Sequence, residues 1–354
     1  MASACRSRRR TRARLAEDTL SFGILLSWYR RAGVSVMKLG MCSLGRRYCG
    51  VRGNLAVMIA LGLGIFVADA ACNARDAAPA PAQGSTEQLP TWLWGEWSRD
   101  WIQKGKVRSN TLEVHYLQTP TYFADIRIPK DRAGISTARS FADLSDPQLR
   151  LLTHQNGFTG HTTIAGAVAT WHHDIDFQPS DGTPDSGRLQ RIPPGRMHEH
   201  GLDGSYTESW RSVSRAKGRF LVIRVEHGGR LLRALVVVGN EFLFVRNRSK
   251  DLPMAASFDA LIDGTHASRD QIVEYLDCEF SVGRVRGGSV PWMIDQSTLP
   301  WREGHELDFV EQMSIIDRGL IAREVDGDQW TVPVNTLSPL EIQALFGGES
   351  KPGG

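Results

Sequence analysis

Short strand-like runs separated by turn signals fill the chain after residue 90, and this pattern constrains the fold more than any other feature. The runs are rich in β-branched and aromatic residues, and dipeptides such as Gly228-Gly229 separate them. They are Thr111–Leu117, Thr121–Ile128, Ala165–Phe177, Tyr206–Ser212, Arg219–Glu226, Leu231–Val238, Glu241–Arg246, Tyr275–Val282 and Gln329–Val334. Helical patterns are confined to Asp146–His154 and Ser268–Leu276. Many short antiparallel strands without crossover helices predict an all-β barrel or sandwich with minor α content.

Two pairs of similar segments predict an internal duplication. Gly95–Trp101 and Gly204–Trp210 share a glycine, an aromatic residue two positions later, a hydroxyl residue beside it and a final tryptophan. Asp174–Gln178 and Asp277–Ser281 are similar to each other and follow in the same order. Matches in the same order and at similar spacing favour two tandem β domains.

The predicted domain limits follow from this repeat and from the turn signals. We place a first barrel at residues 91–195, a second barrel at 196–340 and a flexible C-terminal tail at 341–354. The boundary between the barrels falls in the turn-rich stretch Ile192–Gly195.

Two short motifs resemble known families. Gly95-x-Trp97 at the start of a first strand resembles the opening signature of calycins, the lipocalins and fatty-acid-binding proteins. Phe123–Arg127 resembles a strand of a largely uncharacterised fungal and bacterial family with two lipocalin-like barrels. The resemblance covers roughly residues 93 to 334 and implies two tandem antiparallel barrels that hold apolar ligands. It implies no chemistry, because a fold alone does not determine an activity.

The N-terminal region has the layout of an export signal. Basic residues precede the apolar run Leu55–Val67, which is short for a membrane span, and Ala68–Ala70 then offers a cleavage site. We therefore interpret residues 1–70 as a signal peptide with an upstream extension, and 71–90 as a Pro/Ala-rich linker. This layout predicts a periplasmic or secreted protein.

Two other interpretations of the leader stay open. Cys72 is placed as in a lipoprotein site and would then carry a lipid anchor, although the usual aliphatic residue three positions earlier is missing. Arg46 and Arg47 could begin a twin-arginine signal, although the residues that follow continue it poorly.

Charge and cysteine content exclude several classes of function. Residues 1–71 hold 12 basic and 3 acidic residues, whereas the rest of the chain holds 30 basic and 36 acidic residues. The acidic body disfavours nucleic-acid binding. Cys278 is the one cysteine beyond the leader and its boundary, so neither a disulfide framework nor a multi-cysteine metal site is expected.

Strand alternation predicts two charged groups between aromatic residues. Because residues i and i+2 share a face of a strand, Arg99 lies between Trp97 and Trp101, and Glu208 lies between Tyr206 and Trp210. Each ion would either close a barrel end as a paired plug or fix the polar end of a ligand. Glu208 would alternatively act as a general base with a raised pKa.

Two further strands present polar rows. Asp125 and Arg127 share a face with Phe123, and they are either an exposed pair or part of a wet lumen where Arg127 would bind a polar group. The other strand, around Trp171, carries Asp176 on the face that also holds His172, Asp174 and Gln178. That row is either the solvated side of an edge strand or a site for proton transfer or metal binding.

Motif absences narrow the function further. The body lacks a nucleophile elbow, a phosphate loop and a dinucleotide fingerprint. His198-Glu199-His200 lacks a third partner, so we expect neither metal nor cofactor.

We expect an exported protein that binds a small apolar or aromatic molecule bearing an acidic or hydroxyl group in a Trp-rich barrel. The expected ligand-binding residues are Trp97, Arg99, Trp101, Asp125, Trp171, Tyr206 and Trp210. The alternative is a cofactor-independent lyase, isomerase or hydratase in which Glu208 or Asp176 is the base and Arg127 or Arg99 stabilises an oxyanion. A third reading is a structural protein with filled barrels, and the oligomeric state is left open between monomer and homodimer.

Overall fold

The computed structural model describes residues 87–132, 134–214, 218–285, 292–308, 315–316, 319–320, 323–325 and 327–346. The predicted signal peptide at 1–70, Cys72 and most of the linker at 71–90 lie outside the described residues. Within the described part of the chain, no helix has the length and apolar character needed to cross a membrane.

Eight antiparallel strands of the N-terminal half close into a barrel. The strands of this sheet are β1 Gly95–Lys104, β2 Val107–Ser109, β3 Leu112–Gln118, β4 Tyr122–Pro129, β5 Asn156–Ala165, β6 Val168–Asp176, β7 Asp185–Ile192, β8 Arg196–Gly201 and β9 Tyr206–Ser214. From β3 to β9 each strand pairs with the next, β1 pairs with β3, and the pairing of β1 with β9 closes the sheet. β2 extends only the hairpin that begins at the end of β1. The result is an up-and-down barrel of the general lipocalin-like kind.

The C-terminal half forms a second antiparallel sheet of seven strands. They are β10 Phe220–His227, β11 Arg230–Val238, β12 Glu241–Arg246, β13 Glu279–Val285, β14 Trp292–Ser297, β17 Arg323–Val325 and β18 Asp328–Asn335. β15 Ile315–Ile316 and β16 Gly319–Leu320 pair separately. In the described residues β14 and β17 are the two edges of the seven-stranded sheet, so this sheet is open.

Both faces of the second sheet are buried, which explains the continuous apolar sequence of β11. One face packs on the outer wall of the barrel, where Val236 and Phe280 share a core with Ala124 and Ile126. The other face packs under the last helix, which contributes Ile342. The two sheets therefore share an apolar core along one side of the barrel.

Four helices lie among the described residues: α1 Asp146–Leu152, α2 Phe258–Thr265, α3 Arg269–Leu276 and α4 Pro339–Phe346. α1 and α3 confirm the two predicted helices, and Ser145 and Ser268 begin them with capping boxes. α2 and α4 were not predicted.

The described residues form one closed barrel, whereas the repeat predicted two. Gly95–Trp101 and Gly204–Trp210 do not begin two separate barrels, because they pair with each other as β1 and β9 of the same barrel. The predicted boundary at residue 195 lies inside the hairpin of β7 and β8.

The predicted flexible tail at 341–354 also begins too early. α4 runs to Phe346, and its Ile342 and Leu345 are buried against the second sheet. Ser338 and Glu341 form reciprocal hydrogen bonds at its start, which stabilise the first turn.

Candidate functional site

One end of the barrel contains a cavity of about 350 Å³. At the other end Leu93 and Trp97 are buried, and a second cavity of about 480 Å³ lies beside Trp97. The Trp97 indole nitrogen donates to the carbonyl oxygen of Leu93 at 2.8 Å. The first cavity has an aromatic wall and a wall of ionisable groups. The aromatic residues are Tyr116, Phe158, Trp171 and Trp210.

The aromatic wall is fixed by its own hydrogen bonds. Trp171 Nε1 donates to the hydroxyl oxygen of Tyr116 at 3.0 Å, and the Tyr116 hydroxyl donates to Gln118. Thr162 donates to the same Gln118 oxygen at 2.9 Å. These buried bonds leave flat ring surfaces toward the cavity, which suit an apolar or aromatic ligand.

Asp125 and Arg127 lie inside the barrel, as the wet-lumen interpretation predicted and the exposed-pair interpretation did not. Arg127 Nε donates to Asp125 Oδ1 at 2.8 Å, and Asp125 is 1% exposed. The guanidinium carbon of Arg127 is 4.8 Å from the centre of the Phe158 ring. The alternate face of β4 is apolar because it packs against the second sheet, so the polar face must point into the lumen.

Glu208 is the centre of an ion-pair network at the floor of the cavity. Arg99 Nη1 donates to Glu208 Oε1, and Arg127 Nη1 lies 3.8 Å from the same oxygen. Burial and the neighbouring charge of Arg127 lower the pKa of Arg99. Arg99 does not line the cavity, because it lies behind Glu208. This arrangement matches the paired plug predicted for both residues and leaves Glu208 a poor free base.

Glu199 is a second buried carboxyl group that sequence reasoning did not select. It faces Glu208 on the adjacent strand and accepts a hydrogen bond from the Tyr206 hydroxyl at 2.7 Å. Burial, followed by the charge of Glu208, raises the pKa of Glu199 to about 8. Glu199 therefore holds a proton at neutral pH. Its position between His198 and His200 could have identified it, because in a strand Glu199 lies on the face opposite to the two imidazoles.

His173 lies between two carboxylates on the cavity wall. Its Nδ1 is 2.6 Å from Asp176 Oδ1 and its Nε2 is 3.1 Å from Asp185 Oδ2. The ring stacks on Phe158, with centroids 4.5 Å apart. Burial alone would lower the pKa of His173, but the hydrogen bonds to Asp176 and Asp185 outweigh it and raise the pKa to about 9. His173 is therefore a cation at neutral pH.

A β-bulge brings Asp176 to the same face of β6 as His173. Thr159 pairs with Ile175 and Gly160 pairs with His173, so Asp174 is an extra residue in β6. Alternation therefore changes sides at Asp174, and His173 and Asp176 both face the lumen. The predicted polar row is divided, because Asp174 instead bonds the Tyr122 hydroxyl at 2.8 Å on the outer wall.

A second bulge removes Trp101 from the predicted ligand-binding set. Arg99 pairs with Trp210 and Trp101 pairs with Ser209, so Asp100 is the extra residue of β1. Trp101 consequently points outward, where the guanidinium carbon of Arg108 lies 4.0 Å from its ring centre. Ile102 takes the inward position and lines the cavity.

The structure thus brings most of the predicted site residues together. Those that line the cavity are Asp125, Arg127, Trp171, Asp176, Tyr206, Glu208 and Trp210. Trp97, Arg99 and Trp101 do not line it. Tyr116, His173, Asp185 and Glu199 were missed.

The rim of the cavity joins the barrel to the second half of the chain. The backbone amide of Ala255 donates to the carbonyl oxygen of Ser180 at 3.1 Å, and Ala256 lines the cavity. Gln178 donates to the carbonyl oxygens of Thr153 and Gln155, which holds the segment after β6 in place.

The chain matches no protein-family model, no curated protein and no solved structure. In the described ranges no group of three or more His, Cys, Asp or Glu side chains is arranged to hold a metal ion.

Proposed function

We propose that the protein binds a small molecule with an aromatic or apolar body and a hydroxyl or other neutral polar group inside the barrel. The observation that carries this proposal is the cavity of about 350 Å³, with aromatic rings on one wall and ionisable groups on the other. Small-molecule sites typically combine an apolar lining with a few convergent polar groups at about this size. A purely structural barrel would be filled along its whole length, and the lumen between these two walls is not.

The charges in the lumen favour a neutral ligand over the acidic one considered from the sequence. The positive charges of Arg99 and Arg127 are balanced by Asp125 and Glu208, which they contact. His173 is likewise held by two carboxylates. An anionic ligand would therefore have to displace a buried carboxylate, at a cost of several kcal/mol, roughly that of breaking a buried ion pair.

Catalysis is the second candidate, and Glu199 is the observation that favours it. A protonated carboxyl group beside an ionised one is an arrangement that acid–base enzymes use. The bases named from the sequence fit less well, because Glu208 contacts two arginines and Asp176 contacts His173. We therefore place binding first and a lyase, isomerase or hydratase activity second.

The protein is proposed to act after export, on the strength of the signal-like sequence at residues 46–70. N-terminal sequencing of the periplasmic fraction should find a mature chain that begins near Ala71. An intact cytoplasmic product would contradict this proposal.

Blocking the cavity tests the proposed binding function. Ile102→Trp places a large ring at the lining, and Val107→Trp, at a position 70% exposed on β2, is the matched control. Native mass spectrometry of the full chain, screened against neutral aromatic molecules, should show complexes for wild type and Val107→Trp but not for Ile102→Trp. Equal binding by all three proteins would place the ligand outside the barrel and reject the proposal.

A further inference from the structure

The side chains of Glu199 and Tyr206 each pack against a glycine, and the two glycines pair with each other across β7 and β8. Gly187 and Gly201 are direct pairing partners. A Cβ atom added at Gly187 would lie 2.8 Å from Glu199 Cγ, and one added at Gly201 would lie 2.7 Å from the Tyr206 ring. The two side chains therefore occupy the space that any other residue would fill, and this close fit fixes the carboxyl group against the cavity.

The surroundings of Glu199 keep its proton in place. It is 7% exposed, and its pairing partner Glu208 is a carboxylate already held by Arg99. Among the described residues no basic side chain pairs with Glu199, because Arg127 is held by Asp125. A buried carboxyl without a cation and beside a carboxylate stays neutral.

The neutral carboxyl group is a hydrogen-bond donor with one site still open. Tyr206 donates to Oε1 of Glu199, so the acid proton belongs on the other oxygen. Trp210, whose ring lines the same cavity, has a buried indole N–H without a partner in the described part of the chain. A donor at an aromatic-walled cavity calls for a ligand that offers a hydrogen-bond acceptor, and a carbonyl oxygen with its two lone pairs is such an acceptor.

We propose that Glu199 is the recognition group for a neutral aromatic carbonyl compound, which it binds as a neutral acid by donating a hydrogen bond to the carbonyl oxygen. This inference rests on the proposed binding function, and it adds the class of ligand and a dependence on one proton. When Glu199 loses that proton to solvent, the donor becomes a carboxylate that repels the carbonyl oxygen, and the ligand is released.

Several titratable groups face Glu199, and they decide the pH range of release. Tyr206 and Glu208 face it from β9, Asp185 from β7 and Arg127 from β4. The acidic neighbours oppose ionisation of Glu199 and Arg127 favours it. Since the pKa of Glu199 is about 8, Glu199 is still protonated in about one protein molecule in eleven at pH 9, and only these molecules bind the ligand. The affinity for the ligand should therefore fall about tenfold between pH 6 and pH 9.

The test is equilibrium dialysis of the full chain against acetophenone, a neutral aromatic ketone that does not titrate in this range. Ethylbenzene, of similar shape but without the carbonyl group, is the control probe. We expect wild type to bind acetophenone at pH 6, to lose about tenfold in affinity by pH 9, and to bind ethylbenzene more weakly and without pH dependence.

A variant assigns the effect to Glu199. Glu199→Gln keeps a hydrogen-bond donor but cannot titrate, so its affinity for acetophenone should be the same at pH 6 and pH 9. Glu274→Gln, which changes a carboxyl group on α3 outside the cavity, should behave as wild type. His173 also lines the cavity and titrates nearby, and a fall that persists in Glu199→Gln would assign the effect to His173 and overturn the inference.

The wild-type data separate the two levels of the proposal without any variant. Equal, pH-independent binding of both probes would overturn the role of Glu199 and leave the binding function standing. Failure of both probes to bind at either pH would overturn both.

Discussion

At the scale of single residues, the barrel shows how one lumen holds several charges by assigning each a partner. Glu208 contacts Arg99 and Arg127, Asp125 contacts Arg127, and Glu199 forms no ion pair among the described residues. A buried ion pair adds little net stability over an apolar pair of the same shape, but removing one partner leaves a buried charge alone. The floor of the cavity is therefore sensitive to single substitutions.

We expect Glu208→Gln to reduce the free energy of unfolding by about 3–5 kcal/mol, because two buried guanidiniums lose a shared countercharge. Urea denaturation would measure the loss. Asp251→Asn breaks an exposed pair with Arg230, in which the Asp251 side chain is 85% exposed, and should change stability by less than about 1 kcal/mol. Equal effects of the two substitutions would contradict the network.

We expect the protein to become less stable as pH rises from about 4.5 to 8, and Glu199 is the reason. The folded state raises the pKa of Glu199 from 4.5 to about 8, so between these values the folded chain binds a proton that the unfolded chain has lost. The decline should be on the order of a few kcal/mol. His173, raised from 6.5 to about 9, extends the decline to higher pH.

Unfolding free energies measured from pH 5 to 9 would show this slope. Glu199→Gln should flatten the part below about pH 6.5 and reduce the slope from there to pH 8. His173→Gln should reduce the slope only above about 6.5, where His115, whose pKa is also raised to about 9, keeps part of the decline. A stability that rises over this range would show that neither group carries the assigned proton.

At the scale of elements, the strands were largely predictable and the bulges were not. Alternation put Glu208 on the lumen face and put Asp125 and Arg127 on one shared face, and both assignments are confirmed because β4 and β9 run without an extra residue at these positions. Alternation alone left open whether the shared face of Asp125 and Arg127 was the lumen or the solvent. Alternation put Trp101 on the face of Arg99 and Asp176 on the face opposite Trp171, and both assignments were wrong because each residue follows an extra residue. A bulge is a property of two paired strands, so one strand read alone carries no sign of it.

Gly160 lies at the bulge of β5 and β6 and leads to a test of this element. A Cβ atom there would lie 1.9 Å from the carbonyl oxygen of His172, which is backbone and cannot move aside. We expect Gly160→Ala to destabilise the protein by roughly 3 kcal/mol or more, through strain in the ladder. Gly264→Ala on α2, where nothing lies within 4 Å, should be neutral or stabilising by up to about 1 kcal/mol.

At the scale of the whole molecule, the repeat was the misleading feature. The match between the segments around Trp97 and Tyr206 predicts two barrels, but in the structure these segments lie in β1 and β9, the two strands whose pairing closes one barrel. The openness of the second sheet depends on which distant strands pair, such as β10 with β18. Local sequence determines strand positions well, but pairing over such separations is set by the packed core.

The core shared by the barrel and the second sheet should make the described part of the chain unfold as one unit. Phe280, fully buried in β13, packs in this core, and Phe280→Ala should cost about 3–5 kcal/mol. Hydrogen exchange should then speed up in peptides from β4 as much as in peptides from β12. Leu340→Ala, at a position 83% exposed on α4, is the control and should change stability by less than about 0.5 kcal/mol. Faster exchange confined to β12 would show two independent units.

The hydrogen bond from Ala255 to Ser180 connects the rate of ligand exchange to the second half of the chain. Because this bond ties the rim to the second half of the chain, a ligand that passes only when the rim opens would enter and leave at rates that depend on it. Loosening the rim would therefore speed both steps and leave the dissociation constant nearly unchanged. On this view the barrel lumen sets which molecule is held, and the rim sets the residence time.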